Sequence, residues 1–334
     1  MLITAGVLWL VMAVSSASCV RSQWHQTGGA AWGTTFTVKY YGDRSLDDSV
    51  VAVMRQVELA LSMFEPSSNI SRINRAETDT LAPMTAEVFA AAQRVSALSG
   101  GMFDPTVAPL VNLWGFGVEH AVDDAAPDSA DVSAALLRVG IVECWVDSAA
   151  VLHRKNAGMT FDFSAIAKGY GVDCVADMLR RNGCTNFMVE IGGEISALGC
   201  NSRGEPWQIQ IDSPSSGVAG HEQLETIGLT DRSVATSGNY RNWRKLGDGS
   251  RVGHTISPKT GYPVQRDVVA ATVIAPRCVT ADALATAAMA MGADSARVMF
   301  GSLPEVSALL VLTDGSEVRI GEFWKNQSAF SARK

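Results

Sequence analysis

Hydrophobic residues recur at helical spacing in three stretches of the chain. These stretches are SLDDSVVAVMRQVELALSMF (45–64), TAEVFAAAQRVSALSGG (85–101) and AKGYGVDCVADMLRRNG (167–183). Apolar positions three and four residues apart share one face of a helix, so each stretch is predicted to form an amphipathic helix. We expect Thr85 to cap the second helix at its start, Gly100 and Gly101 to end it, and Gly183 to end the third.

Five other stretches carry the alternation or the short apolar runs that are typical of strands. They are WGTTFTVKYY (32–41), NFMVEIGGEISALG (186–199), WQIQIDS (207–213), VVAATVIA (268–275) and VSALLVLT (306–313). Gly192 and Gly193 divide the second stretch, which predicts a turn or bulge between its halves. Strands and helices follow one another without a regular β–α–β order. The pattern therefore predicts an α+β fold of mostly antiparallel sheets with packed helices.

Polar segments separate these elements. FEPSSNISRIN (64–74) is predicted to be a loop, and the acidic, Pro-, Ala- and Ser-rich residues 119–133 are predicted to be a surface insertion. No sharp domain boundary, short repeat or low-complexity tract interrupts the chain.

The composition sets limits on the function. With 334 residues, of which 47% are hydrophobic and 18% charged, the chain can bury the core of one large domain or of two smaller ones. The net charge of −7 leaves no basic footprint for a phosphate backbone. Nucleic acid is therefore not an expected partner.

The N-terminal segment has the layout of an export signal. Leu2–Val14 is apolar but too short to span a bilayer as a helix, and small residues lead from it to Cys19. The segment resembles a relaxed lipobox, in which Cys19 carries acyl chains such as palmitate that tether the protein to a membrane surface. We therefore predict a signal peptide over 1–18, a lipid-anchor linker over 19–30 and the folded domain over 31–334. A plain cleaved signal and a wrongly assigned start are the alternatives.

Five cysteines follow Cys19. Their number is odd, and no Cys-x-x-Cys spacing occurs among them, so neither a structural zinc site nor a disulfide framework is expected. Cys174 and Cys184 could pair in an oxidising compartment, and the sequence leaves that open.

VTADALATAAMAMG (279–292) places Asp282 and Thr286 four residues apart, on one face of a predicted helix. Two interpretations are open. Thr280 could cap the helix, with Asp282 stabilising its first turn. Alternatively, the carboxylate and the hydroxyl form a site for a hard cation such as Mg²⁺, because flanking alanines let another backbone come close.

FDFSAIAKGYGVD (161–173) is predicted to turn from a strand into a helix, with Asp162 and Lys168 flanking the turn. Such a turn offers backbone groups and a cation to a phosphate ester. It lacks the glycine spacing of a P-loop. The alternative is a surface ion pair between Asp162 and Lys168, which would contribute little to stability.

Three further segments carry candidate chemistry. GHTISPKTGYP (253–263) contains His254, one of five histidines, which is either a general base or a structural residue. VATSGNYRNW (234–243) offers Ser237 and Gly238 in a small polar turn that could approach a ligand. GGMFDPTVAPLVNLWGFG (100–117) concentrates aromatic residues that belong either to the core or to a surface that stacks on a planar ring.

Taken together, these segments resemble the ApbE family, the bacterial FAD:protein FMN transferases. The resemblance rests on ordered blocks between about residues 32 and 292: WGTTFTV, LSMFEPSSNISRIN, GGMFDPTVAPLVNLWGFG, DFSAIAKGYGVD, VEIGGEI, VATSGNY, HTISPKTGYPV and TADALATAAMAMG. It implies a flavin transferase fold related to the T-fold. It also implies an Mg²⁺-dependent enzyme that takes FAD as substrate, passes FMN to a threonine hydroxyl of a partner protein through a phosphoester bond, and releases AMP.

The resemblance also implies where such an enzyme acts. The expected acceptor is an exported flavoprotein, such as a subunit of a redox-driven ion pump. Together with the lipobox-like start, this predicts a periplasmic enzyme that is lipid-anchored to the bacterial inner membrane. Val20 follows Cys19, so the sequence carries no inner-membrane retention signal of the enteric type, and inner against outer membrane stays open.

The family pattern assigns roles to individual positions. The main-chain carbonyl of Ala165 is expected to bind Mg²⁺ together with Asp282 and Thr286. Ala285 falls at a metal-site position where some members carry a second acidic ligand. His254 matches the histidine that takes the proton from the acceptor hydroxyl, and Asp282 is counted with it as catalytic.

The remaining assignments concern FAD. Asp162 and Lys168 are expected to contact it, and Ile256 to touch it through its backbone. The other expected FAD-binding residues line the pocket: Trp32, Phe64, Met102, Phe103, Asp104, Ser237, Gly238 and His254.

Some positions depart from the family pattern. Ser257 stands where members usually have Asp, Ala285 stands where some have a carboxylate, and Asn69 stands where many have Glu. An altered pocket would let water attack the phosphorus instead of a protein hydroxyl. An FAD pyrophosphatase that forms FMN and AMP is therefore the alternative function, and a non-catalytic FAD-binding lipoprotein is the third.

Overall fold

An eight-stranded antiparallel sheet forms the centre of the computed structural model, which describes residues 22–118, 125–214, 223–238 and 243–325. The strands of this sheet, in spatial order, are β1 (Gln23–Ala31), β2 (Thr34–Gly42), β5 (Phe187–Ile191), β6 (Glu194–Leu198), β9 (Arg232–Gly238), β12 (Val268–Ala275), β13 (Ser307–Leu312) and β14 (Glu317–Ile320). The other strands pair as hairpins: β3 (Cys144–Val146) with β4 (Leu152–Arg154), β7 (Trp207–Asp212) with β8 (Gln223–Leu229), and β10 (Trp243–Lys245) with β11 (Arg251–Gly253).

Helices complete the α+β fold. In chain order they are α1 (Asp47–Leu61), α2 (Asn69–Asn74), α3 (Pro83–Leu98), α4 (Ala108–Leu113), α5 (Ser129–Leu136), α6 (Ser164–Arg181), α7 (Cys278–Met291) and α8 (Ala293–Gly301). Helices α3, α6 and α7 pack their apolar residues against β12 and β13. Helices α1 and α6 do the same against β2 and β5. The hairpin β7–β8 covers the opposite face, where Trp207 and Ile209 pack on Ile274 and Leu309. The predicted α+β class is confirmed.

Helix α7 is buried around almost its whole circumference. Its alanines at 281, 283, 285, 287 and 288 are fully buried, and small side chains let α6 come close. Asp173 on α6 accepts hydrogen bonds from the backbone N–H groups of Cys278 and Val279, at 3.0 and 2.9 Å. These bonds satisfy two otherwise unpaired donors at the start of α7, and they fix that helix to α6.

The elements predicted from periodicity form close to the expected positions. Gly192 and Gly193, both with positive φ, make the turn between β5 and β6. Gly183, with φ of 79°, follows the end of α6. Gly100 and Gly101 likewise follow α3 with positive φ. Each is a backbone conformation that glycine adopts at low cost.

The start of α3 differs from the prediction. Ala82 occupies the cap position and Pro83 begins the helix, because the fixed φ of proline suits the first turn. Thr85 is therefore not the cap. Its buried hydroxyl donates instead to the carbonyl oxygen of Ala60 on α1, at 3.2 Å.

Residues 64–74 are not entirely a loop. Helix α2 forms within them because the Ser68 hydroxyl accepts a hydrogen bond from the backbone N–H of Ser71 at 3.1 Å. This is the side-chain cap that short helices need.

The linker predicted over residues 19–30 is wrong from residue 23 onward. Those residues belong to β1, which pairs antiparallel with β2 from Gln23–Gly42 to Ala31–Thr34. Their sequence lacks the alternation of a half-buried strand, because β1 is an edge strand with mostly exposed side chains. The backbone hydrogen bonds to β2, rather than burial of alternate residues, hold the strand in place.

Other predictions concern cysteines and the N-terminal segment. Cys174 and Cys184 are free thiols rather than a disulfide. The signal peptide over 1–18, the lipidation site Cys19 and residues 119–124 of the surface insertion lie outside the described residues. Within the described residues, no helix combines the length and the apolarity that crossing a membrane requires.

Candidate active site

A cavity of about 790 Å³ opens where several turns meet at one edge of the central sheet. The β1–β2 turn, the β5–β6 turn and the end of β9 contribute to its wall, together with the first turn of α6 and one face of α7. The segments 102–107 and 254–258 close the remaining sides. The cavity is within the usual size range for small-molecule and cofactor sites.

Asp282 is the acidic residue of α7, and it lines this cavity with 3% of its surface exposed. Its Oδ2 accepts a hydrogen bond from the backbone N–H of Gly169 at 2.9 Å. Its Oδ1 has no hydrogen-bond partner among the residues that the structure describes. Burial raises the pKa of Asp282, against the opposing charge of Lys168 and the bond from Gly169. A buried carboxylate oxygen of this kind calls for a cation or a donor.

The helix-capping interpretation of Asp282 is wrong. Helix α7 begins at Cys278 with Arg277 as its cap residue, so Thr280 does not cap it. Asp282 lies beyond the first turn and reaches across to α6. The alanines of α7 allow this approach, because they leave room for the backbone of α6.

Thr286 lies one turn after Asp282 and lines the same cavity. Its hydroxyl is 3.1 Å from the Ser237 hydroxyl on β9. Ala290, one turn further along, also lines the cavity. This face of α7 therefore places a carboxylate and a hydroxyl side by side, as predicted from their spacing. Ala285 does not share that face. It is fully buried in the core and does not line the cavity.

Lys168 forms a half-buried ion pair that the sequence did not predict. Its ammonium contacts Oε1 of Glu194 on β6, instead of Asp162. Burial opposes the charge of the lysine, but Asp282 and Glu194 outweigh it and raise the pKa of Lys168 to about 12. Glu194 is 3% exposed, and burial raises its pKa, with a further contribution from Asp282.

Asp162 supports the start of α6. Its Oδ1 accepts a hydrogen bond from the backbone N–H of Ser164 at 2.8 Å. Burial raises the pKa of Asp162, while the charge of His254 acts in the opposite direction. Asp162 and His254 are therefore electrostatic neighbours across the cavity.

The segment that carries His254 is held by its own turn. The Ser257 hydroxyl accepts hydrogen bonds from the backbone N–H groups of Lys259 and Thr260, at 3.3 and 3.2 Å. The indole N–H of Trp114 donates to the Gly261 carbonyl oxygen at 2.8 Å. A serine thus caps this turn, and the aromatic segment around Trp114 anchors it.

Trp32 and Phe64 supply aromatic surface to the cavity. Trp32 has a positive φ of 52°, and its ring lies over Gly171 on α6. A Cβ at position 171 would lie 2.4 Å from that ring, so the glycine makes the packing possible. Phe64 is 69% exposed at the rim.

Asp104 lines the cavity but is occupied by local structure. Its Oδ1 accepts from the N–H and the hydroxyl of Thr106, at 2.8 and 2.6 Å, and its Oδ2 accepts from the N–H of Ile141 at 2.9 Å. Burial raises the pKa of Asp104 against these bonds. The carboxylate holds the 102–107 segment in place, beside Met102 and Phe103.

The cavity brings together the site residues named from the sequence except Ala285, while Cys19 lies outside the described residues. They are Trp32, Phe64, Met102, Phe103, Asp104, Asp162, Ala165, Lys168, Ser237, Gly238, His254, Ile256, Asp282 and Thr286. Sequence reasoning missed Glu194. A signal for it was present, because an acidic residue directly after a Gly-Gly turn interrupts an otherwise apolar strand.

Comparison with known proteins gives the family. The model of the ApbE family matches residues 32–310, which is most of the chain. The protein belongs to the ApbE family. It is 35% identical to the FAD:protein FMN transferase of Haemophilus influenzae, over 98% of this chain and 96% of that relative. It is 38% identical to the enzyme of the same name from Vibrio cholerae, over 85% of this chain and 87% of that relative.

A solved structure of an ApbE family member has the same fold. The flavin transferase ApbE from Vibrio cholerae superposes with a TM-score of 0.81 at 33% sequence identity, covering 92% of this chain and 100% of that one. The described residues of this protein therefore form the flavin transferase fold that the sequence resemblance implied.

The donor set in this ApbE family cavity fits a hard divalent cation. Asp282 and Glu194 carry two buried carboxylates against one lysine. Glu194 Oε2 is buried without a hydrogen-bond partner, and the hydrogen bond that Asp282 accepts from the described residues goes to its Oδ2. Thr286 and the Ala165 backbone add neutral oxygens at the same cavity. No three His, Cys, Asp or Glu side chains cluster as a metal site in the described ranges. Mg²⁺ is a hard cation of this kind, and it binds through one or two carboxylates together with waters and substrate phosphates.

The variant Gly169→Ala tests how closely α6 and α7 must approach. A Cβ at position 169 would lie 2.5 Å from the Cys278 carbonyl oxygen and 2.7 Å from Asp282 Cβ, so the helices must separate. We expect the free energy of unfolding in urea to fall by about 1–3 kcal/mol.

The matched control is Gly301→Ala, at the end of α8, where a new Cβ meets no atom within 4 Å. We expect no loss of stability there. Equal stability of the two variants would contradict the close packing described for α6 and α7.

Proposed function

We propose that this protein is an Mg²⁺-dependent FAD:protein FMN transferase, which moves FMN from FAD to a threonine hydroxyl of an acceptor protein and releases AMP. It is a transferase enzyme with FAD as its substrate, as its relatives are named. The observation that supports the finer chemistry is the buried Asp282, with one unpartnered oxygen, beside Lys168 in a cavity of about 790 Å³.

The proposed Mg²⁺ ligands are the carboxylate of Asp282, the hydroxyl of Thr286 and the main-chain carbonyl of Ala165. A bound Mg²⁺ would neutralise charge on the diphosphate of FAD. Asp282 is then satisfied in a position where a lone buried charge is costly.

Lys168 and the start of α6 are proposed to hold the phosphates. The N-terminal turn of α6, with Ser164 and Ala165, faces the cavity. The dipole of α6 favours an anion there. The Lys168 ammonium adds a full charge. Together they fix the diphosphate before reaction, which lowers the entropic part of the barrier.

The flavin and the adenosine are proposed to bind along the aromatic wall. Trp32, Phe64 and Phe103 offer ring faces or edges to planar groups. Met102, Ser237, Gly238 and the backbone of Ile256 complete the proposed contacts. Asp104 acts on FAD indirectly, because its oxygens are already occupied by Thr106 and Ile141.

His254 is proposed as the general base. The threonine hydroxyl of the acceptor gives its proton to His254 while its oxygen attacks the phosphorus of the FMN half. An O–P bond to threonine forms, the P–O bond to AMP breaks, and AMP leaves with the electron pair. Asp162 stabilises the protonated imidazole electrostatically. It supplies the negative charge that Ser257 in the 254–258 loop does not.

The variant Asp282→Ala tests the proposed transfer. FAD, Mg²⁺ and candidate exported flavoproteins are incubated with enzyme, AMP is quantified, and the acceptor is weighed by mass spectrometry. We expect the wild type to add the mass of FMN to the acceptor. Asp282→Ala, or EDTA, should abolish this addition because the metal site is lost.

Asp294→Ala serves as the matched control, because Asp294 is exposed in the first turn of α8. It should transfer FMN like the wild type. Formation of FMN and AMP with no change in acceptor mass would identify a pyrophosphatase instead. Tight FAD binding without any product would identify a non-catalytic binding protein.

The variant His254→Gln tests the proposed base. We expect its rate of FMN transfer to fall by about 10²–10⁴-fold, while calorimetry shows that the variant still binds FAD. The matched control is His153→Gln, since the His153 ring stacks on Trp145 at 5.1 Å outside the cavity. Full transfer activity of His254→Gln would exclude the histidine as the base.

We propose further that the enzyme is periplasmic and tethered to the inner membrane through lipid on Cys19. The apolar segment before Cys19 supports this proposal. Strand β1 begins at Gln23, so only residues 20–22 separate the proposed anchor from the folded domain. An acceptor that is a membrane-bound subunit of a redox-driven ion pump would lie within reach.

The variant Cys19→Ser tests the anchor. We expect the wild type to sediment with membranes and to incorporate labelled palmitate, and the variant to do neither. Cys200→Ser, a change at a half-buried thiol of the folded domain, should behave like the wild type. Unchanged membrane association of Cys19→Ser would rule the lipid anchor out.

A further inference from the structure

Lys168 is surrounded by two buried carboxylates that belong to different layers of the fold. Glu194 reaches it from β6 and makes the ion pair. Asp282 lies on α7 and accepts the backbone N–H of Gly169, the residue after Lys168, and its charge helps to raise the pKa of the lysine. Two partners thus compete for one ammonium group.

Glu194, rather than Asp282, makes the ion pair with Lys168. Its Oε1 contacts the ammonium, whereas the bond that Asp282 makes comes from the backbone N–H of Gly169. Asp282 Oδ1 has no hydrogen-bond partner among the described residues. Because Lys168 pairs with Glu194, Asp282 Oδ1 remains available to the proposed cation.

The backbone of Glu194 is well placed for this role. It begins β6, directly after the Gly192–Gly193 turn, and pairs with Ile191 on β5. Gly192 has φ of 62°, and a Cβ there would lie 2.9 Å from Thr34 Cγ2 and 3.4 Å from Glu194 Oε2. The glycine thus lets the turn pack closely against Thr34, beside the glutamate side chain at the cavity wall.

The Lys168 ammonium is half-buried, and a partly desolvated ammonium favours a position beside a carboxylate. Without Glu194, the other buried carboxylate at this part of α6 is Asp282, which accepts the backbone N–H of Gly169, the residue after Lys168. The lysine would then turn to Asp282 and occupy the space of the cation. A glutamate that satisfies the lysine elsewhere prevents this.

We propose that Glu194 is a positioning residue, which holds Lys168 away from Asp282 and so keeps the Asp282 carboxylate open to Mg²⁺. The inference rests on the proposed Mg²⁺ site and adds a residue that the family pattern did not assign. Its action is indirect, through the lysine, and Glu194 itself need not touch the cation.

The test uses Glu194→Gln, which preserves shape and removes the charge. Calorimetric titration with Mg²⁺ should show affinity about 10- to 100-fold weaker than that of the wild type, as for other residues that orient metal ligands. A crystal structure of the variant should show Lys168 Nζ within hydrogen-bond distance of the Asp282 carboxylate.

The double variant Lys168→Met/Glu194→Gln removes the competing ammonium. Its Mg²⁺ affinity should return to that of Lys168→Met alone. The matched control is Glu190→Gln on β5, whose Oε1 accepts from Gly193 N–H at 2.9 Å and which lies outside the cavity. Its Mg²⁺ affinity should equal that of the wild type.

Three results would overturn the inference. The first is unchanged Mg²⁺ affinity of Glu194→Gln. The second is a lysine that stays away from Asp282 in the crystal structure of that variant. The third is a double variant whose Mg²⁺ affinity stays below that of Lys168→Met, since Glu194 would then be a metal ligand itself. Failure of the wild-type protein to bind Mg²⁺ would be a separate result, because it removes the proposed metal site and the inference with it.

Discussion

The hydrogen bond from the backbone N–H of Gly169 to the Asp282 carboxylate is the contact on which the site depends. It joins α6 to α7 at 2.9 Å, and it exists because position 169 has no side chain to keep the helices apart. One turn further along α6, Asp173 accepts the N–H groups of Cys278 and Val279. These hydrogen bonds between α6 and α7 fix the Asp282 carboxylate at the cavity wall before any ligand binds.

Buried charge is the cost of this arrangement. Asp282 and Glu194 are each 3% exposed and share one lysine, so the cavity wall carries more negative than positive charge. A protein without a ligand for this site would be more stable with apolar residues there. A cation bound beside Asp282, together with the phosphates that Lys168 and the start of α6 attract, gives the buried groups their partners.

The helices, the central strands and most residues of the candidate site could be predicted from the sequence, because these features depend on local periodicity. The spacing of Asp282 and Thr286 places them on one helix face, and α6, α7 and the β5–β6 hairpin form where the pattern predicts them. The position of Glu194 after the Gly-Gly turn was a signal, but its role could not be assigned, because its partner Lys168 lies on α6 and only the packing of α6 against β6 brings them together. Strand β1 was missed because an edge strand with exposed side chains lacks the alternation of a half-buried one.

The most direct test of the central claim is an anomalous diffraction map of crystals soaked in Mn²⁺, a hard cation that binds the same oxygen donors. We predict a peak within about 2.0–2.2 Å of an Asp282 carboxylate oxygen, in contact with the Thr286 hydroxyl and the Ala165 carbonyl oxygen. A map with no peak at Asp282, or with its peak elsewhere in the cavity, would contradict the account.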